Sequence, residues 1–423
     1  MGFVDWLKDL FRPKRVRDVS RLDRESASLD AVQEVVRLES GPLKPGHRRV
    51  VRRDARLLPK PKQKGTPRKK RKKWMGAGEA RRLFSGTLRT RNRHIRDLLP
   101  DEAQLRHYGL PVWRTEEDVA AALAIPVKEL RFFSIHREAE RVPHYVTFSI
   151  PKRSGGRRLI MAPKRRLKAL QRKLLPLLVD KLPMSTHAHG FRTGRSIRTG
   201  AEPHVGKAVV LKMDLADFFP SVTSVRVRGL LLALGYGYPV AAMLATLMTE
   251  AERQPVELNG VRLHVPVGPR ACVQGAPTSP GLCNAMVRRL DLRLAGLARK
   301  HGFTFTRYAD DLCFSGESLE ALQDLRAGAK RLIETEGFRV NEAKTRVARR
   351  GRRQQVTGVV VNETLGLSRQ ERRKLRAAIH QAHKEGVAPE TAARIEGRLA
   401  YLSMLNPAQA AALRKRWKPS GSS

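Results

Sequence analysis

The distribution of apolar and polar positions changes near residue 100 and divides the chain into two unequal parts. Between Lys44 and Lys73 there are fifteen Lys or Arg residues against the single acid Asp54, with four prolines and few apolar side chains. A segment of this kind cannot bury enough apolar surface to fold alone, so we expect it to stay extended until it meets a polyanion. A solvated linker is the alternative, although PRKKRKKW places six of the charges in consecutive positions.

Helical and strand periodicities begin after residue 100. TEEDVAAALAIPVKELRFF opens with Thr115 and Asp118 at capping-box spacing and continues with apolar residues at helical spacing. HYVTFSIPKRSGGRRLIMAP predicts two strands joined by a Gly155-Gly156 turn, and the leucine-rich run after it predicts a helix that opens near Pro163. The two strands and their turn carry several Lys and Arg residues, so they form a basic hairpin.

Two later runs predict strands that carry acidic residues. KAVVLKMDLADFFPSV predicts a strand from Ala208 to Asp214 and a helix that begins at Pro220. Farther along, FTRYADDLCF predicts two short strands folded about Ala309 and Asp310. Asp is a poor strand former and adjacent carboxylates repel each other, so the Asp pair needs a positively charged partner.

The remaining elements are a second hairpin, several helices and two further strands. In VELNGVRLHV, Asn259-Gly260 suits a type I′ turn. Helices are expected over 279–300 and 318–336 and from 369 to about 417, and strands are expected at FRV and along QQVTGVVVN.

The charge balance narrows the choice of partner. The net charge of +44, from 84 Lys and Arg against 40 Asp and Glu, exceeds what solubility requires and indicates a polyanion, of which nucleic acid fits best. An anionic membrane surface is the alternative, but no apolar stretch approaches the roughly 20 residues of a spanning helix, and no signal peptide is recognisable. Cys272, Cys283 and Cys313 lack CxxC spacing, which favours a reducing cytoplasm and no structural zinc.

Three carboxylates stand out as candidate chemistry. Asp214 ends one predicted strand, and Asp310 and Asp311 lie at the turn between two others. The order of strands and helices allows the three to meet, and Mg²⁺ prefers carboxylate oxygens together with substrate phosphates. Two Mg²⁺ ions, or Mn²⁺ in their place, about 3.5–4 Å apart can activate an attacking hydroxyl and stabilise a leaving pyrophosphate. Taken singly, a surface turn or a helix cap is the simpler interpretation of each Asp.

Three motifs carry a family resemblance. YADD at 308–311, MDLADFF at 213–219 and QGAPTSPGLCN at 274–284 resemble the catalytic motifs of reverse transcriptases, in their usual order. The chain is more narrowly similar to the bacterial retron reverse transcriptases, on the evidence of HGFRTGRSIRTGAEPHV and of VTG at 356–358. Retron enzymes carry Asn-Ala-x-x-His in the upstream segment, and this chain keeps Ala201 and His204 but has Gly200 in place of Asn. The similarity covers roughly residues 144–406.

The resemblance implies an α+β fold of the right-hand polymerase type, with an antiparallel palm sheet flanked by helices and a helical thumb. It implies a basic, largely extended amino-terminal extension over residues 1–100 and fingers with the start of the palm over 101–207. The palm with its catalytic motifs would occupy 208–365, and the thumb 366–423.

The resemblance also implies roles for single residues. Asp214, Asp310 and Asp311 would be catalytic and would bind two Mg²⁺ ions with help from the carbonyl of Leu215. The residues that would contact the incoming nucleotide are Lys152, Arg158, Asp217, Phe219, Gln274, Gly275 and Lys344.

These nucleotide contacts have distinct expected roles. Lys152 and either Arg157 or Arg158 would hold the triphosphate, and Arg158 is preferred because RxIxxP aligns best with the family pattern. The ring of Phe219 would clash with a 2′-OH, although a core aromatic is the alternative for the Phe218-Phe219 pair.

The other contacts are expected near the same nucleotide. Gln274 and Gly275 would line its pocket, with Gly275 permitting close backbone approach. Asp217 would lie near the triphosphate through its main chain, and Lys344 would protonate the leaving pyrophosphate. The basic residues among these contacts could instead serve as ordinary surface charges.

Two further sites concern RNA. His204 has no metal-ligand partner at helical or hairpin spacing, so it is expected to be structural or to face RNA. Arg372, Arg373 and Lys374 belong to basic thumb helices that would grip a duplex through its phosphates. A helical bundle with solvated charges is the alternative.

In function, the resemblance implies an RNA-directed DNA polymerase that uses a structured non-coding RNA as template and primer. It would start from an RNA 2′-OH, use deoxynucleotides, bind the RNA-DNA hybrid, and leave branched RNA-linked single-stranded DNA (msDNA) as its product. A possible effector protein would take part in phage defence. A group II intron protein or other bacterial reverse transcriptase is the alternative, without an appended His/Asn/Cys nuclease module here. A basic RNA-binding protein with a decayed site is another, although the intact carboxylates and Gln274 argue against it.

Overall fold

The computed structural model describes residues 99–135, 139–152, 155–385 and 388–417. The predictions made for residues 1–98, including the basic segment 44–73, lie outside these ranges. The helices of the described residues are α1 Glu102–His107, α2 Glu116–Leu123, α3 Val127–Ser134, α4 Arg165–Leu177, α5 Ile197–Ala201, α6 Ser224–Leu234, α7 Tyr238–Met248, α8 Ser279–Met286, α9 Arg288–Lys300, α10 Ala321–Thr335, α11 Arg369–Glu385, α12 Pro389–Leu405 and α13 Pro407–Arg414. The strands are β1 Tyr145–Pro151, β2 Arg157–Pro163, β3 Val209–Ala216, β4 Arg253–Leu258, β5 Val261–Pro266, β6 Phe303–Tyr308, β7 Asp311–Gly316, β8 Arg339–Val340, β9 Arg346–Arg349, β10 Gln355–Val356 and β11 Val359–Val360.

The capping box at the start of α2 is confirmed. The Thr115 hydroxyl accepts a hydrogen bond from the Asp118 amide, and the Asp118 carboxylate accepts one from the Thr115 amide. Helix α2 then ends at Ala124, whose backbone is left-handed with φ 50°. The run with helical spacing therefore forms two helices, α2 and α3, because a left-handed residue interrupts the ladder of helical hydrogen bonds.

Two hairpins form where turn chemistry predicts them. Strands β1 and β2 pair antiparallel on either side of the Gly155-Gly156 turn. Strands β4 and β5 pair about Asn259 and Gly260, which have φ values of 51° and 72°. Positive φ at both central residues is what a type I′ turn requires.

A five-stranded antiparallel sheet lies at the centre of the fold. Its order is β6-β7-β3, and the short strands β8 and β9 both pair with the outer edge of β3. Strand β3 runs two residues beyond its predicted end at Asp214, because Leu215 and Ala216 pair with β8. The two predicted strands around the Asp pair are β6 and β7.

Alternation along the central strands sends side chains to two different cores. Leu211 of β3 and Phe314 of β7 pack into a large core with helices α1–α4 and α6–α10. Val210 and Cys313 pack on the opposite face, into a smaller core with α5 and α11–α13. Because side chains alternate with a period of two, Asp214 lies on the same face as Val210. Asp214 and Asp311, which pair directly with each other, therefore lie on the face on which the carboxy-terminal helices pack.

Three predicted elements differ from the structure. The helix expected at Pro220 starts at Ser224 instead, because the hydroxyl of Thr223 caps it. The helix expected over 279–300 is broken at Val287 into α8 and α9. The strand expected along QQVTGVVVN is a hairpin of β10 and β11, turned at Thr357 and Gly358 with φ values of 49° and 82°.

The described carboxy-terminal residues are helical, as predicted, and form α11, α12 and α13. Across the described ranges, no helix combines the length and the apolar composition that crossing a bilayer requires.

Candidate active site

The turn between β6 and β7 is the centre of the site. Strand β6 ends at Tyr308, which pairs with Asp311 at the start of β7. Ala309 and Asp310 lie between them, and Ala309 has a left-handed backbone with φ 56°. A non-glycine residue in this conformation costs on the order of 1–3 kcal/mol. The surrounding contacts must therefore hold the turn in place.

Strand register brings Asp214 to this turn. Asp214 of β3 pairs directly with Asp311 of β7, and the Leu215 amide donates to the Asp310 carbonyl at 3.0 Å. Directly opposed residues of an antiparallel pair project from the same face, with Cβ atoms about 4.5–5.5 Å apart. The structure thus brings together the three acidic residues that the sequence singled out, and it places Leu215 next to them.

Burial and neighbouring like charge raise the pKa of Asp310 and Asp311. Burial, together with the charges of Asp311 and Asp214, raises the pKa of Asp310 to about 6. Burial also raises the pKa of Asp311, with Asp214 acting in the same direction and Lys212 and Lys344 opposing it. The surroundings therefore do not fully compensate the negative charge of the turn.

Lys344 forms a direct ion pair with Asp214. Its Nζ lies 3.0 Å from Oδ1 and 2.9 Å from Oδ2 of Asp214. The short turn that carries Lys344 is held at the site because the Asn341 amide donates to the Asp214 carbonyl at 2.8 Å. Burial acts to lower the pKa of Lys344, but the hydrogen bond to Asp214 and the charges of the three aspartates raise it overall. Lys344 is therefore a stable cation against Asp214.

The three carboxylates have the chemistry that a divalent cation requires, but Lys344 pairs with both oxygens of one of them, Asp214. No group of three His, Cys, Asp or Glu side chains within the described residues is arranged to hold a metal ion. The chemistry nevertheless suits a hard cation, since three carboxylates meet at one turn and the pKa of two of them is raised. A cation that reached Asp214 would compete with Lys344 for the same two oxygens.

Side chains alternate between the two faces of β2, so the two candidate arginines of the β1–β2 hairpin lie on opposite faces. Arg158 lies on the same face of β2 as Ile160, and a Cβ added to Gly275 would meet the Ile160 side chain at 3.0 Å. Arg157 lies on the other face, where its Nε donates to the Ser149 hydroxyl at 2.6 Å. Alternation therefore favours Arg158 as the residue on the side of the Gly275 loop.

The loop of Gln274 and Gly275 docks directly on β2. The Met161 amide donates to the Gln274 carbonyl at 2.9 Å. Gly275 has φ 121°, and a Cβ there would fall 2.8 Å from the carbonyl oxygen of Met161. The close approach expected of Gly275 is thus made to the hairpin backbone, and it couples the hairpin to the loop.

The two adjacent phenylalanines have different environments. Phe218 is buried and its ring centroid lies 6.4 Å from that of Phe338. Phe219 is half-buried and meets Phe218 edge-on, with 5.5 Å between centroids. Phe218 is therefore the core aromatic, and Phe219 keeps part of its ring accessible. The carboxylate of Asp217 forms an exposed ion pair with Arg339 at 2.7 Å, and its carbonyl accepts hydrogen bonds from the amide and the hydroxyl of Ser221. The main-chain contact of Asp217 with a nucleotide stays a prediction.

The expectation that His204 could face RNA is wrong, and the structural alternative is correct. The ring is fully buried, with Nδ1 2.6 Å from the Ser315 hydroxyl and Nε2 2.7 Å from the Thr306 hydroxyl. Thr306 donates its own hydrogen to the Gly200 carbonyl at 3.0 Å, so Nε2 is the donor and Nδ1 accepts from Ser315. Burial, reinforced by His189 and Lys207, lowers the pKa of His204 to about 3.

The other predicted basic contacts lie at the surface. Lys152 is exposed directly after β1. On α11, Arg373 and Lys374 are exposed and Arg372 is half-buried. These positions leave the charged groups available to an anionic ligand.

The turn formed by Ala309, Asp310 and Asp311 is the acidic turn of the site. Two buried charged residues behind it, Arg307 and Asp291, were not predicted from the sequence. Arg307 is fully buried and forms a two-point ion pair with Asp291 of α9, at 2.7 and 2.8 Å. The available signal was a single charged residue, Arg307, in an otherwise uncharged strand shortly before the Asp pair. A charged residue in a buried strand requires a buried partner, but the sequence does not reveal which acid supplies it.

Comparisons with known proteins agree with this geometry. Residues 150–373, more than half of the chain, match the family model described as reverse transcriptase (RNA-dependent DNA polymerase). The chain is 65% identical to the retron Mx65 reverse transcriptase of Myxococcus xanthus, over 98% of this chain and 97% of that protein. It is 45% identical to the retron Mx162 reverse transcriptase of Myxococcus xanthus, over 73% of this chain and 67% of that protein. It is 33% identical to the retron Ec86 reverse transcriptase of Escherichia coli, over 66% of this chain and 81% of that protein.

Proposed function

The chain belongs to the retron reverse transcriptases, which are RNA-directed DNA polymerases, and from this premise we propose that the acidic turn is its polymerase active site. The observation that supports this most strongly is the direct pairing of Asp214 with Asp311 beside the left-handed turn at Ala309. Carboxylates placed opposite each other destabilise a sheet, so their presence at the end of a buried strand pair favours a catalytic role over a structural one.

Asp214, Asp310 and Asp311 would hold two divalent cations together with the Leu215 carbonyl, and Mg²⁺ is the cation that this donor chemistry favours. When bound, such ions lower the pKa of an attacking hydroxyl and neutralise charge on the phosphoryl group being transferred. Lys344 shields Asp214 until a substrate arrives. Its raised pKa keeps it protonated, so it can later donate that proton to the leaving pyrophosphate.

The remaining residues of the site bind and orient the nucleotide. Lys152 and Arg158 hold the triphosphate from the hairpin side, because charge accumulates there during transfer. The Gln274-Gly275 loop forms the floor of the pocket. The hydrogen bond from the Met161 amide of β2 to the Gln274 carbonyl fixes this loop relative to the hairpin. The accessible part of the Phe219 ring fills the space that a ribose 2′-OH would need, which selects deoxynucleotides.

We propose a structured non-coding RNA as both template and primer, with branched RNA-linked single-stranded DNA as product. The high identity to a retron enzyme over nearly the whole chain supports this choice over a group II intron protein. Arg372, Arg373 and Lys374 on α11 contact the phosphates of the RNA-DNA duplex, and the net charge of +44 fits such a partner. Cytoplasmic location, an effector protein and a role in phage defence stay predictions.

The experiment uses the purified full-length protein with the RNA that copurifies with it, deoxynucleotides and Mg²⁺. The expected product is DNA that stays covalently attached to RNA on a denaturing gel and is released by an enzyme that cleaves 2′–5′ branches. DNA that grows only from free 3′-OH primers would contradict the retron part of the proposal. No Mg²⁺-dependent extension on any RNA template would contradict the active site itself.

A further inference from the structure

A chain of buried polar groups lies behind the acidic turn, on the face of the sheet opposite to the carboxylates. Arg307 pairs with Leu312 across β6 and β7, so its side chain projects into the large core. There its Nε and one Nη donate to the two oxygens of Asp291 at 2.7 and 2.8 Å. Both side chains are fully excluded from solvent, and Asp291 is fixed on helix α9.

The other Nη of Arg307 contacts the turn itself. It donates to the carbonyl oxygen of Ala309 at 3.0 Å and to Oδ1 of Asn284 at 2.8 Å. Ala309 is the residue with the left-handed backbone, and Asp310 follows it directly. One guanidinium therefore connects helix α9, helix α8 and the strained residue of the turn.

Asn284 extends this chain to a second support of the turn. Its amide nitrogen donates to the Gly190 carbonyl at 2.7 Å. Gly190 packs against the turn so closely that a Cβ there would lie 2.9 Å from the Ala309 amide nitrogen and 3.1 Å from the Tyr308 ring. The position of Gly190 is thus set by Asn284, and Gly190 in turn limits where Ala309 can move.

The main chain of Arg307 is held on the same side. Its amide donates to the His187 carbonyl, and its carbonyl accepts from the His189 amide, both at 2.8 Å. These two hydrogen bonds form an isolated parallel bridge between Ala188 and Arg307 of β6. Hydrogen bonds of both the backbone and the side chain of Arg307 therefore hold the end of β6, which leads into the turn, in place.

Stability alone does not account for this arrangement. A buried ion pair contributes little net stability, and replacing it by apolar residues of similar volume is often neutral or stabilising. An apolar pair could fill the same space but could not donate to the Ala309 carbonyl or to Asn284. What the charged pair uniquely supplies is a fixed position for the backbone that carries Asp310 and Asp311.

We propose that Arg307, Asp291 and Asn284 are positioning residues that hold the catalytic turn in its reactive geometry. This rests on the proposed role of Asp310 and Asp311 as catalytic residues. Displacement of a reacting group by about 1 Å can cost on the order of a hundredfold in rate. Loss of the network should therefore lower kcat while leaving the binding of nucleotide and RNA, which other residues perform, nearly intact.

The test replaces the ion pair by apolar residues of similar size, Arg307→Met with Asp291→Leu, in the full-length protein. The double variant leaves the Ala309 carbonyl and Oδ1 of Asn284 without their donor, so the expected result is a folded protein with a somewhat lower melting temperature. Its kcat should be lower by about tenfold to a hundredfold, and its KM for deoxynucleotide should stay within about threefold. The matched control is Arg253→Met with Glu140→Leu, a nearly buried ion pair of 3.3 Å at the base of the β4–β5 hairpin. It removes a nearly buried Arg-Glu pair in which Arg253 belongs to β4, outside β6, β7 and helix α9, and it should leave kcat unchanged.

A second variant decides the outcome if the double variant does not fold. Arg307→Lys keeps the positive charge beside Asp291, but one ammonium cannot reach Asp291, Asn284 and the Ala309 carbonyl together. It should lower kcat by about tenfold or more with little change in KM. Full kcat in either folded variant, or a drop equal to that of the control pair, overturns the positioning role. An inactive unchanged protein would instead refute the proposed function, so the two failures are distinguishable.

Discussion

Lys344 and Asp214 form an ion pair inside the candidate active site, with the Lys344 Nζ 2.9 Å and 3.0 Å from the two carboxylate oxygens. The family resemblance places Lys344 near the pyrophosphate, and the structure adds that it contacts a candidate metal ligand. One lysine can therefore serve as a counter-ion before substrate binds and as a proton donor afterwards.

Replacing Lys344 by Ala should separate these two roles. Without the competing ammonium, Asp214 becomes more available to a cation, so the Mg²⁺ concentration that gives half-maximal activity should fall. Loss of the proton donor should lower kcat by about a hundredfold. A Mg²⁺ titration of primer extension measures both, and Lys330→Ala, which removes a surface lysine paired with Glu342, is the control. An unchanged Mg²⁺ midpoint would contradict competition at Asp214.

Phe219→Ala should relax discrimination between deoxynucleotides and ribonucleotides. The truncated side chain opens the space that a 2′-OH requires, so the ratio of kcat/KM for dNTP over rNTP should fall by about tenfold to a hundredfold. Single-nucleotide incorporation assays give this ratio. Phe218→Ala is the informative comparison, because Phe218 is buried and its loss should lower stability by about 3–5 kcal/mol. Discrimination that Phe219→Ala leaves intact would rule out this assignment.

Replacing Arg372, Arg373 and Lys374 together by Ala should weaken binding to an RNA-DNA duplex. Each lost phosphate contact should reduce the slope of log K against log salt by roughly 0.7–0.9. Filter binding over a range of salt concentrations measures the slope. Removing the same charge from α10, with Ala at Arg326, Lys330 and Arg331, is the control, and an equal slope change in both variants would argue against a specific thumb contact.

His204 should make the fold sensitive to acid. Its pKa is about 3 in the folded protein and about 6.5 in an unfolded chain, so between these values the unfolded state binds more protons. Stability is then fully present above about pH 6.5 and falls as the pH drops towards 3, by up to about 1.4 kcal/mol per pH unit from this group. Denaturant unfolding at several pH values, compared with His204→Gln, tests this. Curves that stay parallel for the two proteins would contradict it.

The parts of the fold that depend on residues close in sequence could be predicted. The capping box of Thr115 and Asp118 and the turns at Asn259-Gly260 and Ala309-Asp310 each depend on residues close in sequence, and each forms as expected. The helix expected at Pro220 starts later because Thr223 provides a better cap.

The partners of the site residues were not predictable in the same way. The packing of the sheet and its helices brings Lys344 to Asp214 and Arg307 to Asp291. His204 illustrates the same limit, because its two hydroxyl partners come from β6 and β7, roughly a hundred residues away. Spacing identifies such residues as candidates, but packing determines whether they face a ligand or the core.

The most direct measurement is DNA synthesis and RNA binding by the variant with Asn at both Asp310 and Asp311. Asn keeps the size of the side chains but removes the negative charge that would hold the cations. The protein should bind its RNA as tightly as before and produce no detectable DNA, while Asp324→Asn, an exposed acid of α10, should remain fully active. DNA synthesis at the rate of the unchanged protein would show that the acidic turn is not the polymerase centre.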